Sequence, residues 1–257
     1  MHKISKLAVG AAVTLTLGMA PAMAGGSLKD DHHDNCSAKR WAGLYGGINV
    51  GGVKHTSSWL DQDGKGVDFG VPNDGTFQDS GITAGVQVGY NVARCNTVFG
   101  LEADYNFTNS KKTTEMSSQI YGPGTSPIVE SGLSSFGTIR GRAGVAFDHS
   151  LLYLTGGLAI GKTRDSWNWA PLVGTSDFNW SSNGTRLGWT VGAGIEHALS
   201  DRMSLKAEVL YIDLGSKTVS DNYANNVANG NIPSNFRGIV DDTAVVGRVG
   251  LNFKFGQ

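Results

Sequence analysis

Thr243-Ala-Val-Val-Gly-Arg-Val-Gly-Leu-Asn-Phe-Lys-Phe255 alternates in side-chain character with a period of two. Thr243, Val245, Gly247, Val249, Leu251, Phe253 and Phe255 share one parity; Ala244, Val246, Arg248, Gly250, Asn252 and Lys254 share the other. Successive side chains leave a strand on opposite faces, so this segment is a strand with one apolar face and one charged face. Seven further stretches read the same way, at about 41–52, 80–91, 98–107, 133–147, 151–162, 185–197 and 203–214. Which face meets water decides between a soluble sheet and one turned inside out for a membrane.

The faces sort consistently. Ile82, Ala84, Val86, Val88 and Tyr90 oppose Thr83, Gln87 and Asn91 with their glycines; Phe99, Leu101, Ala103, Tyr105 and Phe107 oppose Gly100, Glu102, Asp104 and Asn106. Ile139, Gly141, Ala143, Val145 and Phe147 oppose Arg140 and Arg142, and Leu187, Trp189, Val191, Ala193 and Ile195 oppose Arg186, Thr190 and Glu196. The segment at 203–214 is the irregular one. Leu205, Ala207, Val209 and Tyr211 fit the apolar face and Lys206 and Glu208 the polar one, but Leu210, Ile212 and Leu214 also fall on the polar side. Either a bulge or an apolar patch inside a barrel accounts for them.

The connections alternate in length. Val92 to Thr97, Asp148-His149-Ser150 and Leu199 to Arg202 are short, whereas Lys54 to Asp79, Thr108 to Gly132, Thr163 to Gly184 and Gly215 to Asp241 are each roughly twenty residues or more. Short turns at one end and long loops at the other mark an up-and-down outer-membrane barrel. The fold class read from the sequence is therefore all-β: an eight-stranded antiparallel up-and-down transmembrane β-barrel with short periplasmic turns and four long extracellular loops. On the lipid-facing parity, Tyr90, Phe99, Phe147, Phe253 and Phe255 lie near the short turns and Tyr105, Phe107, Trp189 and Tyr211 near the long loops. These are two interfacial aromatic belts one strand length apart.

The chain opens with Lys3 and Lys6, an apolar run Leu7 to Met19 and Ala22-Met23-Ala24, the pattern of a cleaved secretory signal peptide. The domain reading is a signal peptide at 1–24, a periplasmic N-terminal leader at 25–40 and the transmembrane β-barrel at 41–257. No later segment is apolar for long enough to be a membrane-spanning helix. With 21 Lys and Arg against 22 Asp and Glu, the charge gives no reason to expect nucleic acid. Glycine, at 37 of 257 residues, is about twice its usual frequency and recurs inside the alternating runs, where it relieves crowding and permits curvature.

An eight-stranded barrel has an interior that side chains fill, with no wide pore. Glu102, Asp104, Glu196 and Glu208 then meet Arg140, Arg142, Lys206 and Arg248 around the axis. A buried unpaired ion is costly, so four acids and four bases on one parity are what a neutral, self-paired lumen requires. The same parity also fits the solvated face of a soluble sheet, the arrangement a lipocalin-type barrel would have with its apolar side inward. The belts and the sorting of loops argue for the membrane.

The runs Trp41-Ala-Gly-Leu-Tyr-Gly-Gly, Thr138-Ile-Arg-Gly-Arg-Ala-Gly, Leu152-Tyr-Leu-Thr-Gly-Gly-Leu-Ala and Tyr211-Ile-Asp-Leu-Gly resemble the eight-stranded OmpA-like and opacity-type outer-membrane barrels. Within that group the chain is most similar to the immunogenic surface proteins of the porin-like family, as a bare barrel without an appended peptidoglycan-binding domain. The resemblance implies the bacterial outer membrane, contact with its lipid and lipopolysaccharide, dependence on the outer-membrane assembly machinery, and a non-enzymatic role in envelope structure and cell-surface interaction. Some members are described as porins and others as haem binders or adhesins, which leaves a narrow pore and a surface ligand as alternatives. Such barrels usually end on an aromatic residue; this chain continues past Phe255 with Gly256-Gln257.

Other chemistry is sparse. Cys36 and Cys95 both fall on the periplasmic side, where disulfides persist, and a bridge would close a loop of about sixty residues worth about 4 kcal/mol. Asp30-Asp-His-His-Asp34 has ligand-type side chains but no convergent spacing, and reads as a polar leader. His55 with Ser57, Ser58 and Asp61 reads as a polar loop grouping. Gly192-Ala-Gly-Ile-Glu-His lacks the third glycine of a dinucleotide motif. No catalytic residue, cofactor or metal is expected. The third long loop carries Trp167, Trp169, Phe178 and Trp180, which either contact a surface ligand or pack against the other loops.

Overall fold

The computed structural model describes residues 37–61, 74–110, 112–115, 128–169, 178–223 and 234–256. A short 3-10 turn, Ser37–Trp41, precedes nine strands: β1 (Gly43–Asp61), β2 (Asp74–Arg94), β3 (Thr97–Thr108), β4 (Lys112–Glu115), β5 (Ile128–Phe147), β6 (Ser150–Trp169), β7 (Phe178–Ala198), β8 (Met203–Tyr223) and β9 (Ser234–Phe255). All pair antiparallel in the order β3-β2-β1-β9-β8-β7-β6-β5-β4, and β3 also pairs with β5. That last pairing, together with β1 against β9, closes the sheet into a barrel of eight staves. The short β4 continues the β3 position farther out, pairing with β5 from Lys112↔Ser131 to Glu115↔Ile128.

Alternation in sequence becomes alternation in burial. Along β3 Leu101 is 66% exposed and Glu102 3%; along β7 Leu187 is 76% exposed and Arg186 7%. The large apolar side chains face outward around the wall and the charged ones face the axis, the reverse of a soluble sheet. All nine belt aromatics face outward. Tyr105–Phe107 and Phe253–Phe255 meet edge to face, and Trp189–Tyr211 are tilted with centroids 5.6 Å apart. Cys95 and Asp148, in the two tightest turns, each adopt φ +53°, the left-handed backbone that lets so short a hairpin close.

The strands run farther outward than the alternation of the sequence indicated. β1 and β2 remain paired to Leu60↔Asp74, β6 and β7 to Trp169↔Phe178, and β8 and β9 to Tyr223↔Ser234. Much of what reads as long loop is thus antiparallel ribbon standing above the apolar belt. The reason is physical: above the belt the outward face meets water instead of hydrocarbon and is itself polar, so the contrast between parities fades although backbone pairing continues. His55, Ser57, Ser58 and Asp61 accordingly lie on β1 and not in a loop. Trp167, Trp169, Phe178 and Trp180 lie at the paired ends of β6 and β7, with Trp167 opposite Trp180; their side chains are outside the described part. Among the described residues, β7 and β8 part company beyond Trp189↔Asp213.

Candidate functional site

The lumen is built in layers. At the periplasmic mouth the Ser37–Trp41 turn is tucked into the barrel base. Ala38 N donates to Cys95 O at 3.1 Å, Asn91 Nδ2 to Trp41 O at 3.0 Å, and Lys254 Nζ to Arg40 O at 2.6 Å. Ala38 and Trp41 pack there with Val98, Ala146, Leu151 and Tyr153.

Above this lies the charged layer. All eight side chains that the parity argument placed inside are buried, from Lys206 at 0% to Asp104 at 7%. Arg140 lies at the centre: it contacts Glu102 at 2.5 Å, Asp104 at 3.0 Å and Glu208 at 3.0 Å. Lys206 Nζ is 2.9 Å from Glu102, and Arg248 Nη2 is 3.1 Å from Asp104 and 2.6 Å from Glu208. Arg142 reaches Glu196 at 2.9 Å and Glu102 at 3.4 Å. Four acids and four bases thus neutralise one another within one layer, each ion with a partner of opposite sign.

Neutral groups finish the coordination. Tyr45 Oη donates to Glu102 at 2.7 Å, Tyr153 Oη to Glu208 at 2.9 Å, and Thr138 Oγ1 to Asp104 at 2.6 Å. Ser204 and Asn252 donate to Glu196 at 2.5 and 2.8 Å. The Arg142 guanidinium lies between the rings of Tyr45 and Tyr153, 5.4 and 4.4 Å from their centroids, which stabilises a cation out of water. Each tyrosine stands directly across from a glycine, Tyr45 from Gly89 and Tyr153 from Gly194, where its ring leaves no room for a β-carbon. Tyr45 beside Leu44 and Tyr153 between Leu152 and Leu154 fall on the interior parity of their strands, but their bond to the ions depends on the register.

Leu210, Ile212 and Leu214 form an apolar patch inside the barrel, 0–3% exposed, with Val53, Leu133, Phe136, Ala159, Ala244 and Val246. A bulge follows directly: pairing shifts between Asp213 and Ser216, Gly215 takes φ +69°, and Asp213 Oδ1 accepts from Gly215 N at 2.8 Å. Both explanations for the irregular strand therefore hold, the patch on the interior parity and the bulge at its outer end.

The outermost layer was missed in sequence. His55 on β1 lies 2.8 Å from Asp79 on β2 and 3.2 Å from Asp242 on β9, and Arg186 on β7 lies 2.9 Å from Asp242. Ser110 donates to the other oxygen of Asp79. His55, Asp79 and Asp242 continue the interior parity of their strands, so extending the alternation three residues past 52 finds the histidine. The outward residues at this height are Lys54, Thr56, Gln78, Ser80 and Asp241, so the cluster stands above the apolar belt. Burial disfavours a charged imidazole, but Asp242 and Asp79 outweigh it and raise the His55 pKa to about 9. Asp242 is held below the usual carboxylate range: burial opposes this, and His55 and Arg186 prevail.

Cys36 and residues 30–34 lie outside the described residues, so the structure describes only one partner of the expected bridge, Cys95, exposed in the β2–β3 turn.

A family model described as outer membrane protein beta-barrel domain matches residues 10–253. The chain is 35% identical over 222 residues to the 31 kDa outer-membrane immunogenic protein of Brucella melitensis, covering 84% of each. It is 30% identical over 152 residues to the 22 kDa outer membrane protein of Rhizobium leguminosarum, covering 58% of this chain and 62% of that one. In structure it is similar to the outer membrane protein OprG from Pseudomonas aeruginosa, with a TM-score of 0.47 and 13% identity over 83% of this chain and 97% of that one. With an inverted barrel, belts and a family match over nearly its whole length, the chain belongs to the outer membrane β-barrel family and is a protein of the bacterial outer membrane, in contact with its lipid.

Proposed function

We propose that this barrel is a sealed, non-enzymatic element of the envelope that displays its outer ribbons at the cell surface, the charged layer acting as its plug. The observation that carries the reading is the neutral lumen: eight buried ions, every one paired, capped by an apolar layer on one side and the Trp41 turn on the other. Opening a path for solutes would strand several of those charges, and an unpaired buried ion costs several kcal/mol. The buried His55 has a carboxylate at each ring nitrogen, which supports a cross-link and not a catalytic base. Reconstituted into a planar bilayer, the purified protein is expected to give no sustained single-channel current; steady conductance would establish the narrow-pore reading instead.

The same proposal takes residues 1–24 as a signal peptide, 25–40 as a periplasmic leader and 41–257 as the barrel, delivered by the assembly machinery and ringed by lipopolysaccharide outside. It includes a Cys36–Cys95 bridge, supported by the bond from Ala38 N to Cys95 O, which brings the chain two residues past Cys36 onto the turn that carries Cys95. A non-reducing digest lacking the crosslinked peptide would remove it. Trp167, Trp169, Phe178 and Trp180, at the tip of one outer ribbon, are the proposed surface contact, toward a host surface or a flat ligand such as haem. Deleting 167–180 without loss of surface binding would end that part.

A further inference from the structure

Outside the lumen, at the periplasmic rim, two imidazoles stand side by side. His149 occupies the turn between β5 and β6, and His197 lies near the end of β7 on the outward parity, two residues beyond Ile195. Their ring centroids are 6.5 Å apart with planes tilted by 40°. The pairing of Ser150 with His197 and the bond from Ala198 N to His149 O at 2.8 Å fix the two backbones against each other. Both rings are exposed, and His149 retains 54% of its side-chain surface.

What sets this pair apart is how each ring is held. His149 Nδ1 lies 2.8 Å from Asp148 Oδ1, and His197 Nδ1 lies 3.0 Å from Ser150 Oγ. When Nδ1–H donates to an oxygen, the tautomer is set and Nε2 keeps its lone pair outward. A carboxylate or hydroxyl behind the ring and a free nitrogen in front is the arrangement that metal-ligating histidines use. Among the described residues the remaining histidine differs: His55 has both nitrogens facing carboxylates within the barrel.

We propose that His149 and His197 form a two-imidazole site for a divalent transition ion of the zinc, copper(II) or nickel type, with Asp148 and Ser150 orienting the rings. Among the described residues no three such side chains converge on one point, so water completes the coordination. Imidazole is the preferred ligand of these ions, whereas calcium and magnesium take oxygen donors. With metal–nitrogen distances near 2 Å and a tetrahedral angle, the centroids close to roughly 5 Å. Exposed side chains can make that movement without disturbing the lumen.

The test uses the full mature chain in detergent, carrying His32→Gln and His33→Gln so that the leader contributes no imidazole. Titration with copper(II), followed by calorimetry and electron paramagnetic resonance, is expected to show one saturable equivalent with two-nitrogen coupling. His149→Gln and His197→Gln should each weaken it at least tenfold, and Asp148→Asn by roughly tenfold as an orienting partner. Heat-modifiable gel mobility checks that each variant is folded. Binding that persists in the folded double variant, or a signal with one nitrogen or none, overturns the site.

Discussion

The lower and upper lumen solve one problem, filling a narrow barrel, with opposite chemistry. Around Arg140 the space is packed with eight ions that satisfy one another; around Leu210 it is packed with nine apolar side chains and no charge at all. The first arrangement is specific in direction and fragile to the loss of one member. The second is tolerant of shape and stands between the ions below and the His55 cluster above, with Thr83 and Asn106 filling the β2 and β3 side. Charge at the axis is tolerable because every ion finds a partner of opposite sign within the layer.

Four substitutions put that contrast under strain. Arg140→Ala leaves Glu102, Asp104 and Glu208 short of a shared base and should cost about 3–5 kcal/mol, read from urea unfolding in detergent; a loss under about 1 kcal/mol would mean the layer is hydrated and not sealed. Leu210→Ala, in the apolar half, is expected to cost about 2–4 kcal/mol by leaving a cavity. If Leu210→Asn is tolerated better than Leu210→Ala, the upper layer is wet and the contrast fails. Tyr45→Phe removes one donor to Glu102 while keeping the ring beside Arg142, for about 1–2 kcal/mol.

The smallest effect is a pH dependence at the outer cluster. The His55 pKa is raised on folding to about 9, so its contribution is complete below the ordinary imidazole value of about 6.5 and is lost as pH rises through about 9. Asp242, held low, contributes above its ordinary range and loses that contribution as pH falls. Unfolding midpoints of the native chain and His55→Gln should differ at pH 6 and converge by pH 10. An equal gap at both values would show that His55 acts through packing alone.

The eight ions were legible because inside and outside differ most where one face meets hydrocarbon. Glu102 beside Leu101, or Arg140 beside Ile139, announces its direction without any structure. Leu210 and Ile212 were ambiguous because an apolar residue on the interior parity breaks the very contrast that defines the parity. His55 reads as part of a polar loop for a related reason: Lys54 and Thr56 beside it are polar, so both faces look alike. Partners were illegible throughout. That Tyr45 reaches Glu102, or that Arg142 stands between two rings, depends on which strands become neighbours and at what register.

The separations within the charged layer bear on how the molecule assembles and comes apart. Arg248, on the final strand, meets Asp104, 144 positions earlier; Lys206 meets Glu102 across 104, and Arg140 meets Glu208 across 68. The β3–β5 pair already sets two acids against two bases, and Arg248 of β9 meets Glu208 of the neighbouring β8. The bonds from Asp104 to Arg248 and from Glu102 to Lys206, however, cross the lumen and need the closed barrel. Those cross-lumen bonds complete the hoop only when the first and last strands join. Peeling away β9 alone should then unbalance Asp104 of β3 and Glu208 of β8 together, so the loss of one edge strand is felt on both sides of the lumen.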